Sequence, residues 1–322
     1  MASARNIPVA CPFMGVFKSA DKSADYNCLA SEVVCCAVFS MGFSVFSLAH
    51  LRLLMKKFVL TIAGADPSVG AGIQRDLKTF EDFGLNGLSV ITALTAQNQK
   101  RVKDVFPVPA RFVVKQIETL VDEYCIEVVK LGILATGDIV LALARLFKKA
   151  KFKKIVIDPV FVSSSGYPLL DKKGIILLKD QLLPFATIVT PNLDEAAILS
   201  SMKNVSSLEE MKEAAIKIKK LGPKFVLVKG GHLKTVNSEQ LTVNGKKAVD
   251  ILYDGKRFKT FSAPRINKDI HGTGCILSSA IAAGMAKGMN VENAAREAKV
   301  YTTRIINPHT KDFGVGVNRE TI

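Results

Sequence analysis

Two kinds of run alternate along this chain. Residues 58–63, Phe-Val-Leu-Thr-Ile-Ala, are apolar apart from Thr61 and stop at Gly64, the pattern of a parallel strand covered on both faces. A loop, Ala65-Asp66-Pro67-Ser68-Val69-Gly70-Ala71-Gly72, leads into residues 73–80, where apolar positions recur at helical spacing. The unit repeats. The pattern predicts strand 88–93 with loop 95–98, helix 112–124, strand 128–131 and helix 138–149. Strand 154–157 ends in Asp158-Pro159, and strand 187–190 ends in Pro191-Asn192. Helix 208–221 opens with Ser207 and Glu210 at capping-box spacing, closes at Gly222-Pro223 and leads into strand 225–229. The β-rich runs 248–253 and 256–262 flank Asp254-Gly255 and read as a hairpin with a type I′ turn. Residues 276–284, small and mostly apolar, read as a buried helix behind His271-Gly272-Thr273-Gly274-Cys275.

Alternating strands and helices imply right-handed crossovers and a mostly parallel sheet with helices on both faces, a three-layer αβα class. Ligands collect at the carboxyl ends of the strands in such a sheet. Asp66, Gln97, Asp158, Asn192 with Glu195, and Lys229 all fall there. The Gly-Thr-Gly turn before the last helix leaves backbone N–H groups uncovered at a helix N-terminus, a place that attracts anions. Cys275 in the first turn would feel the positive end of the helix dipole, which lowers a thiol pKa and makes it a candidate base. The competing reading of these residues is a structural loop with an inert, buried cysteine.

Composition narrows the classes. An apolar fraction of 48% is ample for a core, and 322 residues suit one large α/β domain or two average ones. The net charge of +15 comes from scattered lysines with no basic run interleaved with aromatics, which argues against nucleic acid as a partner. Four of six cysteines precede residue 40; Cys125 and Cys275 form no metal or disulfide pattern, so the body reads as cytoplasmic. Residues 1–56 lack the strand–helix alternation of residues 57–322. Positions 33–51 carry no charge, but serines, a glycine and His50 weaken them as a membrane segment, and we expect residues 1–56 to be an N-terminal extension outside the fold, with Met55 a natural start.

An anion hole, strand-end carboxylates and one strand-end lysine meet the needs of phosphoryl transfer, with the acids holding Mg²⁺ through oxygens and waters. There is no GxxxxGK[ST] loop and no protein-kinase motif set, so another kinase class is needed. Ala63-Gly64-Ala65-Asp66-Pro67-Ser68, Gly70-Ala71-Gly72-Ile73-Gln74, Asp76-Leu77-Lys78-Thr79-Phe80, Val90-Ile91-Thr92-Ala93-Leu94, Ala96-Gln97-Asn98, Thr190-Pro191-Asn192-Leu193, Val228-Lys229-Gly230-Gly231-His232 and His271-Gly272-Thr273-Gly274-Cys275, in unbroken order, resemble the hydroxymethylpyrimidine/phosphomethylpyrimidine kinases of thiamine biosynthesis.

The resemblance implies a ribokinase-like fold over residues 57–322, a homodimer, and two successive ATP-dependent phosphorylations of a small pyrimidine. It implies that Gln97 bonds the aminopyrimidine edge, that Ala71 and Val160 give backbone contacts, that Ile133 packs on the ring and that Asp76 sits near the hydroxymethyl group. Cys275 takes the place of the aspartate base of related sugar kinases, and Gly272, Thr273, Gly274 and Cys275 line the hole for the transferring phosphoryl. Asp158 and Glu195 organise Mg²⁺, and Lys229 offsets charge on ATP. Val69 stands where the family usually has glycine. A pyridoxal kinase of the same subfamily and a non-catalytic pyrimidine-binding module remain the rival readings.

Overall fold

In a computed structural model of the chain, the described residues are 57–150, 152–231, 247–266, 272–307 and 316–321. The expected extension, residues 1–56, lies outside them, as do His232 and His271. The strands are β1 (Phe58–Ala65), β2 (Asn86–Gln97), β3 (Val102–Pro107), β4 (Ile126–Leu131), β5 (Lys154–Ile157), β6 (Ile188–Val189), β7 (Phe225–Gly230), β8 (Lys247–Tyr253), β9 (Arg257–Pro264) and β10 (Gly316–Thr321). The helices are α1 (Gly72–Asp82), α2 (Ala110–Val121), α3 (Gly137–Lys149), α4 (Lys172–Leu177), α5 (Leu193–Ser200), α6 (Leu208–Lys219), α7 (Thr273–Ala286) and α8 (Val291–Ile306).

All ten strands join one sheet in the order β10-β9-β8-β7-β6-β5-β4-β1-β2-β3. From β2 to β7 every neighbouring pair is parallel. The apolar runs are continuous because both faces are covered. Leu60, Ile62, Val129 and Ile157 point into one core with α2, α3 and α6, while Val59, Val128 and Val156 point into the other with α7 and α8. This is the expected αβα sandwich. Among the described residues no helix is long and apolar enough to cross a membrane.

The capping box of α6 is present, with Ser207 and Glu210 each bonded to the other's backbone. Two local readings need correction. β2 runs on to Gln97 because its far end pairs antiparallel with β3, through Leu94↔Phe106, so Thr95 to Gln97 are strand, not loop. The β8–β9 turn is not type I′. The ladder closes at Tyr253↔Phe258, leaving four residues, and Asp254 Oδ1 accepts the N–H groups of Lys256 and Arg257 at 2.7 Å each. A side chain that caps the turn in this way replaces the second left-handed residue a type I′ turn requires.

Candidate active site

The parallel strands end on one edge of the sheet, and there the loops meet α7. Asp66, just after β1, organises the first loop: Oδ1 accepts from the N–H and hydroxyl of Ser68, at 2.8 and 2.7 Å, and Oδ2 from the N–H of Ala71 at 2.8 Å. Burial opposes its charge, but these bonds and one from the Gln97 side chain outweigh it and hold the carboxyl below its usual range. Gln97 is thereby oriented at the rim of a shallow cavity of about 310 Å³ that it lines with Pro67, Ala96, Asn98 and Lys103. Ile133 packs against Gly64, and its carbonyl accepts from the hydroxyl of Thr92.

The backbone of Ala71 and Val160, expected to contact the pyrimidine, makes hydrogen bonds within the chain. Ala71 N–H goes to Asp66, and Val160 N–H goes to the Asp158 carbonyl at 2.9 Å. These bonds fix the backbone of the loops that hold the two residues.

In the same loop Val69 has φ +62° and is 55% exposed. A β-branched side chain in the left-handed region costs about 1–2 kcal/mol. The loop holds it there by the Asp66 bonds and by Val69 N–H to the Asp66 carbonyl. Val69→Gly is therefore expected to raise stability by roughly 0.5–1 kcal/mol, with glycine's unfolded-state entropy offsetting part of the relief. An unchanged or lower urea midpoint would contradict this.

The first loop touches α7 directly. Gly272 has φ +84°, and a Cβ there would fall 2.0 Å from the carbonyl oxygen of Gly70. Only glycine allows this approach. Two residues on, a Cβ on Gly274 would lie 3.1 Å from Lys229 Nζ and 3.6 Å from Asp158 Oδ2. The first turn of α7 and the Lys229 ammonium thus face one small space beside a carboxylate.

Around that space Lys229 Nζ lies 2.8 Å from Asp158 Oδ1 and 4.0 Å from Glu195 Oε2. Asp158 also accepts from the hydroxyls of Thr190 at 3.1 Å and Ser278 at 3.3 Å. Burial would raise the Asp158 pKa, but Lys229 and Lys130 outweigh it and keep it low. Glu195 is different: burial pushes its pKa up to about 7 against the pull of Lys229, with Asp158 adding to the rise. Its Oε2 accepts from the N–H of Asn192 at 2.7 Å, and its own N–H donates to Asn192 Oδ1 at 2.9 Å, a capping box that opens α5. The side chain is a helix cap as well as a candidate cation ligand.

One expectation is overturned, the lowered thiol pKa of Cys275. Cys275 is buried, 9% exposed, and its thiol is pushed up to about 11. Burial is the largest cause; Lys130 opposes it, and the carboxylates of Asp76 and Asp158 add to it. The rise from burial outweighs the lowering that the sequence implied from the helix dipole. Asp76, expected near the hydroxymethyl group, is fully buried and pairs with Lys130 Nζ at 2.8 Å. Burial opposes the charge on Lys130, but Asp76 holds its pKa well above the ordinary lysine value. Lys130 was missed by the sequence reading, although a lone lysine within Val128-Val129-Lys130-Leu131 demanded a buried partner.

A family model described as phosphomethylpyrimidine kinase matches residues 66–320. The chain is 42% identical over 258 residues to a hydroxymethylpyrimidine/phosphomethylpyrimidine kinase of Aquifex aeolicus, covering 80% of this chain and 96% of that one. A crystal structure of a phosphomethylpyrimidine kinase from Clostridium difficile superposes with a TM-score of 0.67 at 40% identity, covering 78% of this chain and 100% of that one. An ADP complex of Bacillus subtilis pyridoxal kinase superposes with a TM-score of 0.68 at 36% identity, covering 77% and 90%.

Proposed function

The chain belongs to the phosphomethylpyrimidine kinase family, and from that premise we infer that it transfers the γ-phosphoryl of ATP to hydroxymethylpyrimidine and then to the resulting monophosphate, in thiamine biosynthesis. The observation that carries the reading is the shared space between the Gly274 turn and Lys229 Nζ, where the backbone N–H groups that open α7 and a cation would meet the same phosphoryl oxygens.

In the first step the hydroxymethyl oxygen forms a bond to the γ-phosphorus as the bond to the β-bridging oxygen breaks. ADP leaves, and the hydroxyl proton passes to the thiolate of Cys275. The amides of Gly272, Thr273, Gly274 and Cys275 take up charge on the equatorial oxygens, and Lys229 offsets charge on the ATP phosphates. Gln97 reads the aminopyrimidine edge while Ile133 covers the ring, with Ala71 and Val160 giving backbone contacts. Mg²⁺ suits the donors present, since Asp158 and Glu195 offer hard oxygens beside the phosphate space, and it would supply charge neutralisation on the nucleotide.

A preference for the aminopyrimidine over pyridoxal is expected from Gln97-Asn98 at the end of β2 and is tested by measuring kcat/KM for both alcohols with the same preparation. Faster turnover of pyridoxal would contradict it. We also infer a kinase domain over residues 57–322 that pairs as a homodimer. In support of the pairing, β3 is an edge strand, and the cross-strand partners Leu94 and Phe106 are 50% and 66% exposed. Phe106→Asp is expected to shift sedimentation from dimer to monomer; a monomeric wild type or an unchanged variant contradicts this.

A further inference from the structure

The ion pair of Asp76 and Lys130 takes no part in the chemistry above, yet both side chains have no exposed surface. Asp76 belongs to α1 and Lys130 to β4, with Nζ 2.9 and 2.8 Å from the two carboxylate oxygens. Thr61 of β1 donates to Oδ2 at 2.5 Å, and Ser279 of α7 donates to Oδ1 at 2.6 Å. One carboxylate therefore joins four elements. As a source of stability alone this is a poor solution, since apolar residues of similar volume often hold a core as well as a buried ion pair does.

What the pair supplies is direction. Around its buried length α7 is made of small apolar residues such as Ala280, Ala282 and Ala283, whose packing is non-directional and leaves sliding and rotation weakly opposed. Ser278 and Ser279 interrupt that surface, and both are fully buried. Ser278 reaches Asp158 at the phosphate end, while Ser279 reaches Asp76 beneath the helix. Cys275 and Ser279 are four residues apart and share a face, so a bond that holds Ser279 also aims the thiol one turn ahead. We propose that Asp76, clamped by Lys130, is a positioning residue that sets the placement of α7 through Ser279 and so aims the amides of residues 272–275 and the Cys275 thiol at the transferring phosphoryl.

The proposal rests on the kinase reading, and its test separates the two. Ser279→Ala removes the link and leaves the ion pair; Thr61→Ala removes an equivalent hydrogen bond to Asp76 that does not involve α7. Both should lose a similar amount of thermal stability. Because a misplacement of about 1 Å can cost on the order of 10²-fold, Ser279→Ala is expected to lower kcat at least about tenfold with KM for the pyrimidine within about twofold. Its affinity for MgADP with fluoroaluminate, a mimic of the transferring phosphoryl, should fall by a similar factor while its affinity for MgADP alone is kept. Thr61→Ala should keep kcat within about twofold of wild type, the size of an effect too small to reflect a displaced site. Equal kcat in wild type and Ser279→Ala, or an equal loss in both variants, overturns the positioning role. A wild-type chain that fails to bind fluoroaluminate with MgADP defeats the phosphoryl-site reading itself.

Discussion

Cys275→Ala is expected to lower kcat for phosphorylation of hydroxymethylpyrimidine by about 10²- to 10⁴-fold, the span of general-base assistance, and to lower the second phosphorylation far less. The two nucleophiles differ. In the first step an alcohol must lose its proton, whereas in the second a phosphate oxygen attacks, and a phosphomonoester with a second pKa of about 6 is already ionised near neutral pH. A base at position 275 is therefore needed for one half of the reaction. Burial pushes that thiol up to about 11, so at neutral pH the resting site holds it protonated. The ionised fraction grows about tenfold per pH unit below that value, and first-step kcat in the wild type should climb from neutral into alkaline pH. In Cys275→Ala the climb should disappear. Initial rates on each substrate across that range provide the check, and equal losses in the two steps would remove Cys275 as the base.

The largest effect on stability is expected from Lys130→Met, about 3–5 kcal/mol, because it leaves the Asp76 carboxylate buried without its cation. Thr61 and Ser279 would still donate to the carboxylate, but two neutral donors do not compensate a charge at a site with no exposure. Urea denaturation of the variant measures the loss. Asp76→Asn combined with Lys130→Met should recover much of it, since no charge remains, the amide oxygen can accept from one hydroxyl and the amide N–H can donate to the oxygen of the other. A single variant as stable as wild type would show that the pair carries little of the fold.

The alternation of strands and helices was legible because strands buried on both faces carry unbroken apolar runs, as at Val59 to Ile62 and Val226 to Val228, and because Ser207 with Glu210 is a local cap that needs no tertiary context. β3 was not legible: Lys103 and Asp104 face solvent, and only pairing with the end of β2 makes the segment a strand. The polar residues of the edge were found because a parallel sheet directs strand ends to one side. Their partners were another matter. Asp76 shares the buried face of α1 with Ile73, Thr79 and Phe80, a helical spacing that is present in the sequence. The rise of the Cys275 thiol was not legible, since the dipole of α7 is a local property, whereas burial within the fold and the carboxylates of Asp76 and Asp158, far away in sequence, raise the pKa against the pull of Lys130. Glu195 combines both cases: its capping box is local, while its rise to about 7 depends on the sheet edge closing around it.

Sequential phosphoryl transfer to one small pyrimidine at the α7 turn should be visible as two successive products. Its most direct test is phosphorus NMR of hydroxymethylpyrimidine incubated with MgATP and the wild-type chain. A monophosphate ester should appear first and then be converted to the diphosphate, with one ADP formed for each step. ATP hydrolysis without a pyrimidine ester, or a monophosphate that is never carried further, would contradict it.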